Sequence, residues 1–262
     1  MDLGVAGKGF LIVGGTSGMG LATARVLVGE GASVVLLGRQ PDRAARAVGA
    51  LSGLAGTASA TLADVSVAGE VERAVAEAET TLGGLDGLAV FTGVLGHRPL
   101  DMPDAEWTAA FDDVLLGTVR VVRAALPALI ARRAAIVTTA AYSVRAPEAA
   151  RLPYTSLKAA VAVFTKGLAK TYGPLGVRAN CICPGAIETE PLAALRTQLA
   201  EQRGLPHDQA LERVMVEEWG LHVALGRPGR PEEVGELAAF LLSARAGYLT
   251  GAQINIDGGT DF

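Results

Sequence analysis

Seven runs of β-forming, apolar residues are spaced along the chain, and between them the apolar positions take up helical spacing. The runs are "FLIVGG" (10–15), "SVVLLGR" (33–39), "SATLADV" (59–65), "LDGLAVFTG" (85–93), "AAIVTTAA" (134–141), "VRANCIC" (177–183) and "AQINIDGG" (252–259). Several are apolar on successive residues rather than on alternate ones. A strand of that kind has no face for water, so it must be covered above and below. Strand–helix alternation supplies the cover: parallel strands in one sheet, with crossover helices on both faces. Helical patterns at 20–31, 70–84, 109–131 and 152–172 fit those crossovers.

At 262 residues the chain suits one such domain and is short for two, so 1–262 reads as a single domain. One segment breaks the rhythm. Residues 190–230 are charged and mostly helical, and about 187–230 reads as an insertion after a strand. Insertions at the C-terminal ends of strands tend to line ligand sites, so this one is expected to carry the substrate loop.

Composition removes other classes. Half the residues are apolar and 19% are charged, the opposite of a disordered chain. The net charge is −4 and no Lys/Arg stripe forms, which argues against nucleic-acid binding. The opening "MDLGVAGKGFLIVGG" has no basic region, and its apolar run is short and broken by glycine. Neither a signal peptide nor a membrane span is expected. Cys181 and Cys183 share one strand face and cannot bridge, and His97, His207 and His222 show no ligand spacing. The reading is buried thiols in a reducing cytoplasm, with no metal site.

The first strand runs into "GGTSGMG" and then a helix. Gly14, Gly18 and Gly20 allow the turn and let a phosphate reach the backbone, while the helix start supplies free N–H groups. Position between a strand and a helix makes the motif a dinucleotide loop, with Thr16, Ser17 and Met19 inside it. The second strand ends "LLGRQ", where an NAD-preferring site carries an acid for the ribose diol. Here Gly38 has no carboxylate and Arg39 follows, with Arg43 one turn on. An arginine fork suits a 2′-phosphate, so NADP(H) is favoured over NAD(H). Asp64, with Val65, is placed for an adenine edge or for capping the next helix.

In "LPYTSLKAAVAVFTKGLAK", Tyr154 and Lys158 stand at i and i+4 on one helix face. A nearby ammonium, or an oxidised nicotinamide, lowers a phenol's pKa and fits it for proton exchange with a carbonyl/alcohol pair. These motifs, with Asn180, Pro184-Gly185, Thr189 and the ending "LTGAQINIDGG", follow one another in an order that resembles the short-chain dehydrogenase/reductase family over essentially the whole chain. The resemblance implies a three-layer αβα Rossmann fold, a doubly wound parallel sheet of about seven strands. It also implies that Lys158 reaches the nicotinamide ribose, that Gly93 lies in the cofactor site, and that Ile187 and Thr189 bind the carboxamide. A homotetramer, or a homodimer, is implied as well, with helices 109–131 and 152–172 and the last strand at its interfaces.

Four positions depart from that family. Val13 replaces a threonine, and Val90-Phe91-Thr92-Gly93 replaces Asn-Asn-Ala-Gly. Val114 stands for an asparagine that holds a relay water. The family's serine falls at 154 − 13 = 141, which is alanine, and the nearby hydroxyls are Thr138, Thr139, Tyr142 and Ser143. Ser143 is the candidate replacement. The function expected is transfer of a hydride between nicotinamide and a small to medium, mostly apolar ketone or secondary alcohol. The alternatives on the same scaffold are a non-redox dehydratase, isomerase or cyclase, or an NADP-binding protein.

Overall fold

The computed structural model describes residues 2–93, 98, 100–147 and 149–260. The apolar runs become β1 (Gly9–Val13), β2 (Ser33–Gly38), β3 (Thr57–Leu62), β4 (Gly87–Val90), β5 (Ala135–Thr139), β6 (Arg178–Pro184) and β7 (Gln253–Ile256). β1, β4 and β5 are buried along their whole length, as their unbroken apolar sequence requires, whereas edge strand β3 is partly exposed. All neighbours pair in parallel, in the order β3-β2-β1-β4-β5-β6-β7. The expected seven-stranded αβα sheet of Rossmann type is therefore present.

The helices, in chain order, are α1 (Gly18–Gly29), α2 (Pro41–Gly49), α3 (Ala68–Leu82), α4 (Asp104–Phe111), α5 (Gly117–Arg132), α6 (Leu152–Tyr172), α7 (Glu190–Arg203), α8 (His207–Glu217) and α9 (Pro231–Leu242). α1, α2 and α9 bury Leu27, Ala47 and Ala238 on one face of the sheet. α3, α5 and α6 bury Val75, Val121 and Leu168 on the other. The single helix read at 109–131 is instead α4 and α5 joined by a π-helical turn, Asp112–Leu116. Such turns insert one residue into the ladder and re-aim the side chains beside it. The stretch Asp104–Arg132 is long and apolar enough to cross a membrane by length and composition, yet it lies along the sheet with Val121, Val122, Ala125 and Leu129 buried.

The chain leaves β1 and β4 toward opposite faces of the sheet, which opens a crevice at their C-terminal ends. At the far side, Asn180 of β6 is fully buried and holds the turn before β7 in place. Its Nδ2 donates to Leu249 O at 2.8 Å, and its Oδ1 accepts from Ala252 N at 3.1 Å. Asn180→Leu leaves the Ala252 amide without its partner, while the Leu249 carbonyl keeps Arg178. The expected cost is about 1–3 kcal/mol, read as a lower urea midpoint with unchanged slope.

Candidate active site

The crevice between β1 and β4 is a cleft of about 230 Å³, with the Gly14–Ser17 loop on one wall and Phe91, Thr92 and Gly93 on another. Gly14 has φ +73°, and a Cβ there would lie 2.7 Å from Phe91 O. A Cβ on Gly20 would lie 2.3 Å from the Gly14 carbonyl. Both positions therefore admit only glycine. Ser17 takes the N-cap position of α1 without a side-chain cap, so the first-turn amides keep their donors. Thr16 packs over Gly38, where a Cβ would come 2.7 Å from Thr16 Cγ2. Met19 turns under the loop and packs against the core.

Arg39 and Arg43 line the cleft past the end of β2. The Arg39 side chain is 68% exposed and stands 3.5 Å from Asp64 Oδ2. Arg43 faces Glu190, the first residue of α7, at 3.8 Å. Asp64 Oδ1 accepts from the Ser66 amide at 2.9 Å and the Ser66 hydroxyl at 2.7 Å, a local turn ahead of α3. Burial pushes the Asp64 carboxyl up, but the Ser66 hydrogen bonds and the Arg39 charge outweigh it and hold the group below its ordinary value. Val65 is buried and packs against Gly117.

Tyr154 and Lys158 share one face of α6, with the ammonium 5.6 Å from the ring centroid. Lys158 is only 2% exposed. Its Nζ donates to the carbonyls of Thr92 and Thr139, each at 2.9 Å. Burial pushes Lys158 down to about 8. Burial also pushes the Tyr154 phenol up to about 12, and the Arg151 charge offsets this only in part. The expected lowering of Tyr154 is thus not seen in the free protein, because burial of the phenol outweighs it. Ser143, in a short 3₁₀ turn after β5, is 1% exposed, and its Oγ accepts from Thr155 Oγ1 at 2.9 Å.

Beyond Pro184 and Gly185 the chain forms a strap. Ile187 pairs with Gly229, Glu188 N donates to Gly229 O at 2.8 Å, and Gly229 N donates to Ala186 O at 2.9 Å. The two ends of the 187–230 insertion are so pinned together. Thr189 sits at the N-cap position of α7, but its hydroxyl makes no capping bond. Its Cγ2 lies 3.1 Å from where a Gly18 Cβ would stand, so strap and glycine loop touch.

A family model described as Enoyl-(Acyl carrier protein) reductase matches residues 13–261. The chain belongs to the short-chain dehydrogenase/reductase family. It is an NAD(P)-dependent oxidoreductase. Oxidoreductase UcpA of Salmonella typhimurium is 36% identical to it, over 98% of this chain and 95% of that one. L-Sorbose reductase from Gluconobacter frateurii, solved with NADPH and L-sorbose, superposes with a TM-score of 0.91 at 31% identity, covering 99% and 98% of the two chains. A short-chain oxidoreductase from Pseudomonas aeruginosa PAO1, described as containing an atypical catalytic center, gives a TM-score of 0.90 at 29% identity, with coverage of 99% and 98%.

The departures from this family have a physical reading. Val114 is buried in an apolar seam with Ala110, Leu157 and Val161. A valine there gives a water no polar anchor, and the two carbonyls meet the need of the Lys158 ammonium instead. Ala140 and Ala141 are buried and bring no donor. Thr138 is spent on α6, at 2.6 Å from Thr165 Oγ1. Thr92 Oγ1 and Thr139 Oγ1 are buried without a hydrogen-bond partner among the described residues. Thr92 lines the cleft, so its orphan hydroxyl, the glycine cradle and the open amides all fit a nicotinamide dinucleotide.

Sequence reasoning missed Asp113, which the π-helical turn puts in the cleft wall. Burial pushes its carboxyl up, opposed by Arg39 and Lys158 and assisted by Asp64. Its only sequence signal was an acid next to Val114. Cys181 and Cys183 are free and buried beside Ala140 and Ala162. His207 and His222 lie at the surface, and His97 falls outside the described residues.

Gly20→Ala sets a methyl 2.3 Å from the Gly14 carbonyl and must displace the loop. The protein should lose NADPH binding by at least about tenfold, read from quenching or enhancement of NADPH fluorescence. Unchanged binding would mean that the dinucleotide does not use this loop.

Proposed function

We propose that the chain is an NADP(H)-dependent reductase or dehydrogenase acting on a small to medium, mostly apolar ketone/secondary alcohol. The observation that carries the reading is the Tyr154–Lys158 face of α6, anchored on the Thr92 and Thr139 carbonyls at the mouth of the cleft. When bound, the cofactor supplies or receives the hydride. Gly14, Thr16, Ser17, Gly18, Met19 and Gly20 form its loop, Asp64, Val65 and Gly93 flank the adenosine side, and Pro184, Gly185, Ile187 and Thr189 face the nicotinamide. Arg39 meets the 2′-phosphate. Tyr154 stays neutral up to about 12, so it begins reduction as a proton donor to the substrate oxygen. An ammonium has three donors, and Lys158 spends two on carbonyls, which leaves one for the ribose.

Ser143 is the second donor in this reading. Thr155 gives its own proton to Ser143 Oγ, which frees the Ser143 proton and makes it a stronger donor. Leu199, Leu211, Val214, Met215 and Leu221 pack with Tyr142 into the insertion's own small core. The chain acts as one domain, with 187–230 as its substrate loop. It works in the cytoplasm on a small molecule, as a homotetramer or homodimer, without nucleic acid or membrane.

Ala141 and Val114 support a second reading, in which Tyr154 moves protons without net redox chemistry or the protein only holds NADP. NADPH consumption with a panel of ketones separates the two. On the first reading, Tyr154→Phe lowers kcat by about 10²–10⁴, and Ser143→Ala lowers it by about 10²–10³ with KM little changed. A Lys158 that titrates at about 8 is charged below that pH, so kcat should be level up to about pH 8 and fall above it. Product formed without NADPH loss would favour the second reading, and an unaffected Ser143→Ala would leave the Tyr154–Lys158 pair acting alone.

Cofactor choice has its own test. Arg39→Ala should weaken NADPH binding by roughly tenfold relative to NADH, from loss of a charge-assisted pair. An unchanged ratio of the two dissociation constants would make Arg39 a solvated surface charge.

A further inference from the structure

Arg196, on α7, is 5% exposed although the insertion around it is rich in surface charge. All five of its N–H donors have acceptors, the full capacity of a guanidinium. Nε and Nη2 grip Glu188 at 2.5 and 2.9 Å. Nη1 and Nη2 grip Glu212 at 2.7 Å each. The remaining Nη1 proton goes to the His207 carbonyl at 3.0 Å. Glu212 lies in α8 and His207 opens it. Glu188 lies in the strap, between Ile187 and Thr189. One side chain therefore ties both helices of the insertion to the strap.

Two carboxylates on one buried arginine leave an uncancelled negative charge, and burying charges is weak support for stability. Geometry gives the network another use. The strap touches the glycine loop through Thr189 and Gly18, and α7 begins at Glu190, which faces Arg43 of the cleft. α8 itself supplies no residue to the cleft wall.

We infer that Arg196 is a positioning residue that makes α7, α8 and the strap one body, so that filling the cofactor cleft orders the substrate lid. The inference rests on the cofactor reading above and adds to it a link between the two binding sites. Lysine has three donors on a point charge and cannot make two forks, so Arg196→Lys should not restore the link.

The test pairs NADPH fluorescence titration with amide hydrogen exchange of residues 187–217, with and without NADPH. In the native protein NADPH should slow exchange in α8 by about tenfold or more, although α8 does not line the cleft. Arg196→Met should bind NADPH about tenfold more weakly and lose the α8 protection. Glu212→Gln keeps the Arg196–Glu188 fork. It should bind NADPH within about twofold of the native protein and lose most of the α8 protection, since only the His207 carbonyl bond then ties Arg196 to α8, and it decides the matter if Arg196→Met does not fold. Native-like α8 protection in these variants, or none in the native protein with NADPH bound, overturns the inference. If the native protein binds neither NADPH nor NADH, the cofactor reading falls and the inference with it, an outcome distinct from binding without coupling.

Discussion

A buried ammonium organises the C-terminal ends of β4 and β5. β4 and β5 pair with Val90 opposite Thr138, so their carbonyl ends come out side by side. Lys158 reaches both, through Thr92 O and Thr139 O. Taking a lysine out of water is costly, and two charge-assisted hydrogen bonds to fixed carbonyls offset that cost. Seven residues on, two helical turns along the same face, Thr165 meets Thr138 at 2.6 Å. Those two contacts fix α6 against β5 in both rotation and register. Tyr154, one turn before Lys158, hangs from that fixed helix, so its position follows from the lysine's need for acceptors.

The same need explains why Val114 is tolerated. Where a polar side chain might have shared the ammonium, the chain packs an apolar seam against α6 and lets the sheet supply the acceptors. The π-helical turn that carries Val114 also swings Asp113 into the cleft. Arg39, Arg43 and Asp113 line the cleft, with Asp64 beside Arg39 and Glu190 beside Arg43. Asp64 is kept charged by its hydrogen bonds, while burial favours the neutral form of Asp113.

The strands were legible because successive apolar residues leave a strand no choice but burial, and the glycine loop because no other residue fits Gly14 or Gly20. The pairing of Tyr154 with Lys158 was legible from helical spacing alone. What spacing could not reveal was contact with backbone from distant segments. The carbonyl partners of Lys158 lie 66 and 19 residues away. The sequence suggested that Lys158 would lower the Tyr154 pKa, whereas burial of the phenol, which helical spacing does not show, raises it. The π-helical turn has no glycine or proline to announce it, so 109–131 read as one helix. Ser143 was visible as a hydroxyl, but its partner Thr155 was not. In the insertion Arg196 looked like any surface charge, because its burial comes from Glu188 and Glu212, which only the folded α7–α8 pair brings round it.

The pKa values also bear on direction. A phenol held at about 12 is ionised in only about one molecule in 10⁵ at pH 7, so in the free protein it is almost wholly protonated. Ketone reduction starts from the protonated tyrosine, and alcohol oxidation starts from the tyrosinate. Within the proposed chemistry, oxidation needs the tyrosinate, which a positive charge favours, whether the Lys158 ammonium 5.6 Å from the ring centroid or an oxidised nicotinamide. Burial thus keeps the phenol protonated in the free protein near neutral pH, the form in which it can give a proton to a substrate oxygen.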